Sequence, residues 1–376
     1  MNYGKNKRDI LRVWIPILAV AALCLAGLTA QEVVGARPSG YFRFGANANR
    51  VQSETPVQQD TIAVLDALPA SAPATPLKPR KVFVFCRAVG FVHSNIPLAA
   101  FTIAALGEKT HAWTTTISYK LSDFTAANLA QYDAIVLDNT TGAFLDDSNA
   151  AATAARHQAL MDFVRGGKGL VLLHAATDSY HTNGTGFGFG RGRRGPGGPG
   201  ARRGPGGAAA RRGPGAFARR GPMPILPYSD APTSTWPAYS AMVGGYFKWH
   251  WPYPQLITVK IDDPTSPLTA MFHDREFTIH DETYTLAGFS RKNVHVLTSI
   301  DYSKMSAADK AKEQYRRPDG FYALSWIHRV GKGRVFVELL GHDEHVYAIT
   351  PYLEHVLAGV QYALGDLKAD DRPGVN

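Results

Sequence analysis

Cysteine is almost missing from this chain: its 376 residues contain two, Cys24 and Cys86. Cys24 falls inside an N-terminal export segment, so cleavage leaves Cys86 alone and no intrachain disulfide can form. Charge is also thin, at 19% of residues against 45% hydrophobic. That balance excludes a highly charged disordered chain and fits one large α/β domain or two smaller ones. Compact metal-ligand spacings are missing as well. Thirteen histidines are present, yet there is no His-x-x-x-His pair, and His342 and His345 lie three apart in a turn-like stretch. A divalent metal stays open, since two or three histidines converging on Glu282 would suit zinc or a similar ion, but no local motif specifies a cofactor.

Acidic residues are missing where arginine is densest. Arg-Arg-Gly-Pro-Gly recurs at 193–197, 202–206 and 211–215, with Arg219-Arg220-Gly221-Pro222 as a fourth copy. Nine arginines from Arg191 to Arg220, with no acid between them, match the whole net charge of +9. The rest of the chain is therefore roughly neutral, which argues against a nucleic-acid-binding fold. Residues 183–228 read as a disordered, solvated insertion with little to bury. Its deletion over 184–222 is expected to leave the melting temperature nearly unchanged.

Along the chain, residues 1–30 read as a signal peptide. Lys5, Lys7, Arg8 and Arg12 precede an apolar run from Val13 to Leu28, and Leu28-Thr29-Ala30 offers a small-residue cleavage site. The run is shorter than the roughly 20 residues of a membrane span, so an exported, periplasmic protein is expected, touching the membrane only during export. Residues 31–79 have the Pro/Ala-rich composition of a disordered linker, and 367–376 form a tail. Between them, 80–366 alternate short apolar strands with helices. Strands are expected at Val82–Cys86, Thr114–Tyr119, Ala134–Leu137, Leu170–Leu173, Ile257–Ile261, His295–Ile300, Tyr322–Ile327 and Val335–Leu340. Helices are expected at 97–106, 126–131, 149–165, 238–247 and 352–364. This pattern implies a single α/β domain with a mostly parallel sheet, flavodoxin- or amidotransferase-like, and helices on both faces.

Ligands of such sheets sit beyond the carboxyl ends of the strands. His174 follows the buried strand 170–173 and turns through Ala175 and Ala176 toward Asp178. That turn is similar to the nucleophile elbow of class I glutamine amidotransferases, with a histidine where they keep a cysteine. An imidazole cannot form their thioester, so that reaction is excluded. His93, Asn139, Asp281, Glu282 and His342 also lie at or just past apolar runs. If 278–284 is extended, His280, Glu282 and Tyr284 share one face and Asp281 takes the other. A carboxylate near a histidine suits acid–base work on a sugar. The plain alternatives are a polar residue satisfied at the sheet rim for His174 and a solvated surface strand for Glu282. Trp236, Tyr239, Tyr246, Phe247, Trp249 and Trp251 surround His250. Such rings offer a stacking surface for a sugar, with core packing of the 238–247 helix as the competing reading. Trp249 and Trp251 are better candidates for exposure than Tyr246 or Phe247.

Five short motifs appear in order: Lys81-Val-Phe-Val-Phe with Gly90-Phe-Val-His93, Leu137-Asp-Asn-Thr-Thr-Gly142, Leu173-His-Ala-Ala-Thr-Asp178, Gly244-Gly-Tyr-Phe247 and Leu340-Gly-His342. Together they resemble the ThuA-like domain of trehalose utilisation, over about 81–365 without the arginine tract. The chain departs from that pattern at Cys86, where a small polar residue is usual, and in the roughly fifty residues between Asp178 and Trp236. The resemblance implies an amidotransferase-like fold and a link to bacterial sugar metabolism, with oxidised (keto) disaccharides as substrates. On this reading His174, Glu282 and His342 are catalytic, and His93, Asn139, Asp178, Asp281, Tyr284 and Trp249 bind substrate. The partner is a small carbohydrate, and the oligomeric state is left open. Two other readings are a non-catalytic carbohydrate-binding module on the same fold and an interaction protein that works through its arginine loop.

Overall fold

A computed structural model of the chain describes residues 52–182, 226–227 and 233–374. The segment read as a signal peptide and the arginine tract lie outside these residues, as does the expected effect of deleting 184–222. Among the described residues no helix is long and apolar enough to cross a membrane. The elements run in order α1 (Gln58–Ala67), β1 (Lys81–Phe85), α2 (Ile96–Thr110), β2 (Thr114–Ser118), α3 (Ala126–Leu129), β3 (Ala134–Asp138), α4 (Ala150–Arg165) and β4 (Gly169–Leu173). Then come β5 (Leu226–Pro227), α5 (Pro237–Val243), β6 (Tyr246–His250), β7 (Gln255–Ile261), β8 (Phe277–Asp281), β9 (Tyr284–Ala287) and β10 (His295–Ile300). The last are α6 (Ala307–Lys310), β11 (Tyr315–Arg316), β12 (Ala323–Val330), β13 (Gly333–Glu338) and α7 (Thr350–Leu364).

Nine strands form one sheet in the order β2-β1-β3-β4-β13-β12-β10-β7-β8. The first five are parallel to one another, and each later strand is antiparallel to its neighbour. β10 and β8 thus run with the parallel set, so seven of the nine point the same way. The expected mostly parallel α/β sheet is therefore present. Alternation along β1 sorts Val82 and Val84 into a core with α1, α2 and α7, and Phe83 and Phe85 into a core with α3, α4 and α5. Helices thus cover both faces. α4 starts at Asn149, whose side chain accepts the Ala152 N–H at 3.0 Å, a standard way to satisfy a first-turn donor.

Three boundaries differ from the sequence reading. Within the stretch read as linker, α1 buries Val64 and Ala67, and the chain beyond it is pinned to the domain. Gln361 pairs with both the N–H and the C=O of Ala74, and Asp366 accepts the Leu77 N–H. Two buried apolar residues leave almost no periodic trace, so composition dominated. The tail is likewise tied down, by Asp371 to Tyr362 and by Gly374 to Val294. The helix expected over 238–247 stops at Val243, because Gly244 takes a left-handed φ of 99°. The chain then re-enters as β6, paired with β9.

Candidate metal centre

His93 follows β1, Asn139 follows β3, His174 follows β4 and His342 lies just past β13, all at one edge because these strands are parallel. β8 runs the same way and ends at Asp281, with Glu282 next. In a flat sheet β8 would lie four spacings from β13, about 19 Å. Instead, Asp281 Oδ2 accepts the Gly341 N–H at 2.6 Å. The antiparallel half therefore curls back over the edge. The β10–β12 register shifts around Thr298, and such bulges raise local twist.

The curl closes a cluster of His93, His174, Glu282 and His342, whose ligating atoms all lie within 4.8 Å of one another. Glu282 Oε2 is 3.4 Å from His174 Nε2 and 3.2 Å from His342 Nδ1, and those two nitrogens are 3.3 Å apart. The three imidazole rings are mutually spaced at 5.1–5.2 Å. Atoms bound to a tetrahedral zinc at about 2.0–2.1 Å stand roughly 3.3 Å apart, so these spacings fit one ion. The buried Nδ1 of His93 has no hydrogen-bond partner, an omission that a buried polar group rarely tolerates.

The three histidines are braced. His174 sits at φ 41°, a left-handed value costly for a side chain of its size, and opens a short 3₁₀ turn through buried Ala175 and Ala176. Its Nδ1 lies 2.7 Å from the Leu339 carbonyl. A carbonyl only accepts, so Nδ1 carries the hydrogen and Nε2 presents its lone pair to the cluster, the usual outer-shell arrangement of a metal-binding histidine. The His342 loop rests on Asp281, whose carboxylate accepts the N–H groups of Gly341, His342 and Asp343. The His93 loop is tied to that loop through Asn95 to the Gly341 carbonyl and Ser94 to Glu344 at 2.8 Å.

Burial and charge act against each other here. Burial pushes the His93 imidazole well below its usual range, and His342 and His174 add to the effect. Burial would raise the Glu282 carboxyl, but His342 and His250 hold it well below the ordinary carboxylate range. His342 is shifted up, the pull of Glu282 outweighing burial. Burial also lifts the Tyr284 phenol well above its ordinary value, and its OH lies 3.1 Å from His174 Nε2.

The structure brings His93, His174, Glu282 and His342 together, with Tyr284 beside them. The remaining expected residues have other partners. Asn139 is buried and turns its amide to Asp138 at 2.9 Å. Asp178 pairs with His181 at 2.6 Å. Asp281 is fully buried and occupied by backbone. The extended reading of 278–284 fails at Glu282, because β8 ends at Asp281: His280 faces out while Glu282 faces in. His174 does not face solvent either. It is fully buried, so His174→Ala would open a cavity and strand the Leu339 carbonyl. Trp249 is a core residue, packed edge-on against Trp251 at 4.9 Å, and Trp251 is fully buried.

A bulge explains the tryptophan error and the residue that was missed. Phe247 pairs with Leu286 and Trp249 with Thr285, so β6 gains one residue at Lys248. Strict alternation would set Trp249 opposite Tyr284; the bulge sets His250 there. The only trace in sequence was the position of His250 among aromatic residues.

An α/β sheet with a buried histidine–carboxylate cluster at its strand ends defines the class. The chain belongs to the ThuA family, described as trehalose utilisation, whose sequence model matches residues 81–193 and 226–363. Among solved structures it is similar to a ThuA-like protein from Bacteroides uniformis, at 16% identity over 79% of this chain and 97% of that one, with a TM-score of 0.49. A ThuA-like protein from Parabacteroides merdae is similar at 15% identity, over 78% and 93%, with a TM-score of 0.47. The family match, not these overlaps, carries the assignment. No curated protein matches the chain.

Proposed function

We propose that this chain is an exported, divalent-metal-dependent enzyme that acts on a carbohydrate, with His93, His174, Glu282 and His342 as the metal ligands. The spacing of 3.2–3.4 Å among three of the four donors carries the reading. An ion held there would supply a Lewis acid for a sugar carbonyl or hydroxyl oxygen; the histidines would serve as its ligands and leave proton transfer to other groups. The family's link to trehalose points to a disaccharide, including its oxidised keto form. Half-buried Phe91, Phe247 and Tyr253 pack against His93, Tyr284 and His342 at 4.7–4.8 Å, supplying apolar surface for the C–H faces of a sugar ring.

The test is metal analysis of the purified chain followed by turnover of trehalose and keto-trehalose before and after chelation. Zinc, cobalt or manganese should restore what chelation removes. Sugar binding without turnover would replace the enzyme with a carbohydrate-binding module. Full activity in metal-free protein would end the metal reading.

A further inference from the structure

His250 is not one of the four donors, yet its ring reaches their carboxylate from outside. The extra residue at Lys248 turns it inward opposite Tyr284. Its Nδ1 lies 2.8 Å from the Trp251 carbonyl and 3.1 Å from Glu282 Oε1. Both are acceptors, so Nδ1 carries the hydrogen and shares it between them. The two oxygens of Glu282 thus have separate partners: Oε1 faces His250, and Oε2 faces His174 and His342.

We infer that His250 is a positioning residue that holds Glu282 to a single metal-facing oxygen, so that an ion on the four donors would keep room for a substrate oxygen as a fifth ligand. The inference rests on the metal reading above. A carboxylate free to rotate can chelate through both oxygens, and the second oxygen would take the fifth position into which a four-coordinate zinc expands to bind substrate. With three imidazoles and one carboxylate oxygen, the donor set suits zinc or cobalt better than magnesium or calcium, which prefer oxygen. The side chain of His250 is 42% exposed, so its removal opens no cavity in the core.

The experiment loads the full chain with cobalt(II) alone and records its visible absorption, with azide as the probe of an open position. The unaltered protein should show the strong bands of a low-coordinate ion, and these should shift with azide. His250→Ala should still bind cobalt, but with weaker bands and azide affinity reduced at least about tenfold, in the range of outer-shell effects. His250→Gln, whose amide can donate to Oε1, should recover both signals. Melting curves check that each variant is folded. No cobalt binding by the unaltered chain overturns the metal reading and this inference with it. Cobalt bound with unchanged bands and unchanged azide affinity in His250→Ala overturns this inference alone.

Discussion

The parallel half of the sheet, β2-β1-β3-β4-β13, delivers its site residues by topology, whereas the antiparallel half, β12-β10-β7-β8, delivers one only because it bends. Strands that run together end together, so His93, His174 and His342 meet at one edge although they are spread over 250 residues of sequence. Glu282 starts at the far edge. It arrives through a curl that Asp281 fastens to the His342 loop, and His250 arrives through a bulge in β6. The lesson is that three of the four cluster residues are built into the order of the chain and the fourth is built into the shape of the sheet.

The comparison breaks most directly at Glu282. Replacing it with glutamine should weaken zinc binding by more than about a hundredfold, beyond the usual outer-shell effect, as read by competition with a chromophoric chelator. Unchanged affinity would mean that the antiparallel half contributes nothing to the centre.

Asp281→Ala tests the fastening. Two buried N–H groups and one partly buried lose their acceptor, at about 1–3 kcal/mol for each buried one. Urea unfolding should show a loss of about 3–5 kcal/mol, and metal affinity should fall with it. A stable Asp281→Ala protein with a weak site would show that the carboxylate orients the loop without holding the curl.

His174→Ala probes the parallel half in the same way. A buried cavity and a stranded carbonyl should cost about 2–3 kcal/mol in addition to the lost ligand, measured on metal-free protein. Retained stability would mean that the sheet edge relaxes around the gap.

Asp138, at the end of β3, asks whether that edge is dry. Burial lifts its carboxyl to about 7, against hydrogen bonds from Asn139 and Cys86. In the unfolded chain it titrates near about 4. Between those values the folded state keeps a proton that the unfolded state has shed, so stability falls as pH rises from about 4 to 7 and levels off above. Asp138→Asn should flatten that part of the stability curve. An unchanged slope would place water at the strand ends.

The smallest expected effect is at Asn149, the exposed α4 cap, which bonds to the Ala152 N–H and not to the donor cluster. Asn149→Ala should cost about 1 kcal/mol and leave metal binding unaltered. Any change in affinity would show that the helix layer feeds into the site.

The sequence by itself determined the α/β class, most strands within a residue or two, and the positions of His93, His174 and His342 at strand ends. Each of these follows from local pattern: short apolar runs, their alternation with helices, and the polar residue that ends each run. It also marked Glu282 as chemically loaded, although on the wrong account of its strand. Only the tertiary structure decided that Asp281 is a backbone anchor, that Trp249 is core and that His250 stands beside Glu282. The reason is physical. A bulge adds one residue and reverses which side chains face inward, and a curl joins edges that no local pattern relates. Neither leaves a periodic mark in the chain, since both are set by how the two halves of the sheet pack.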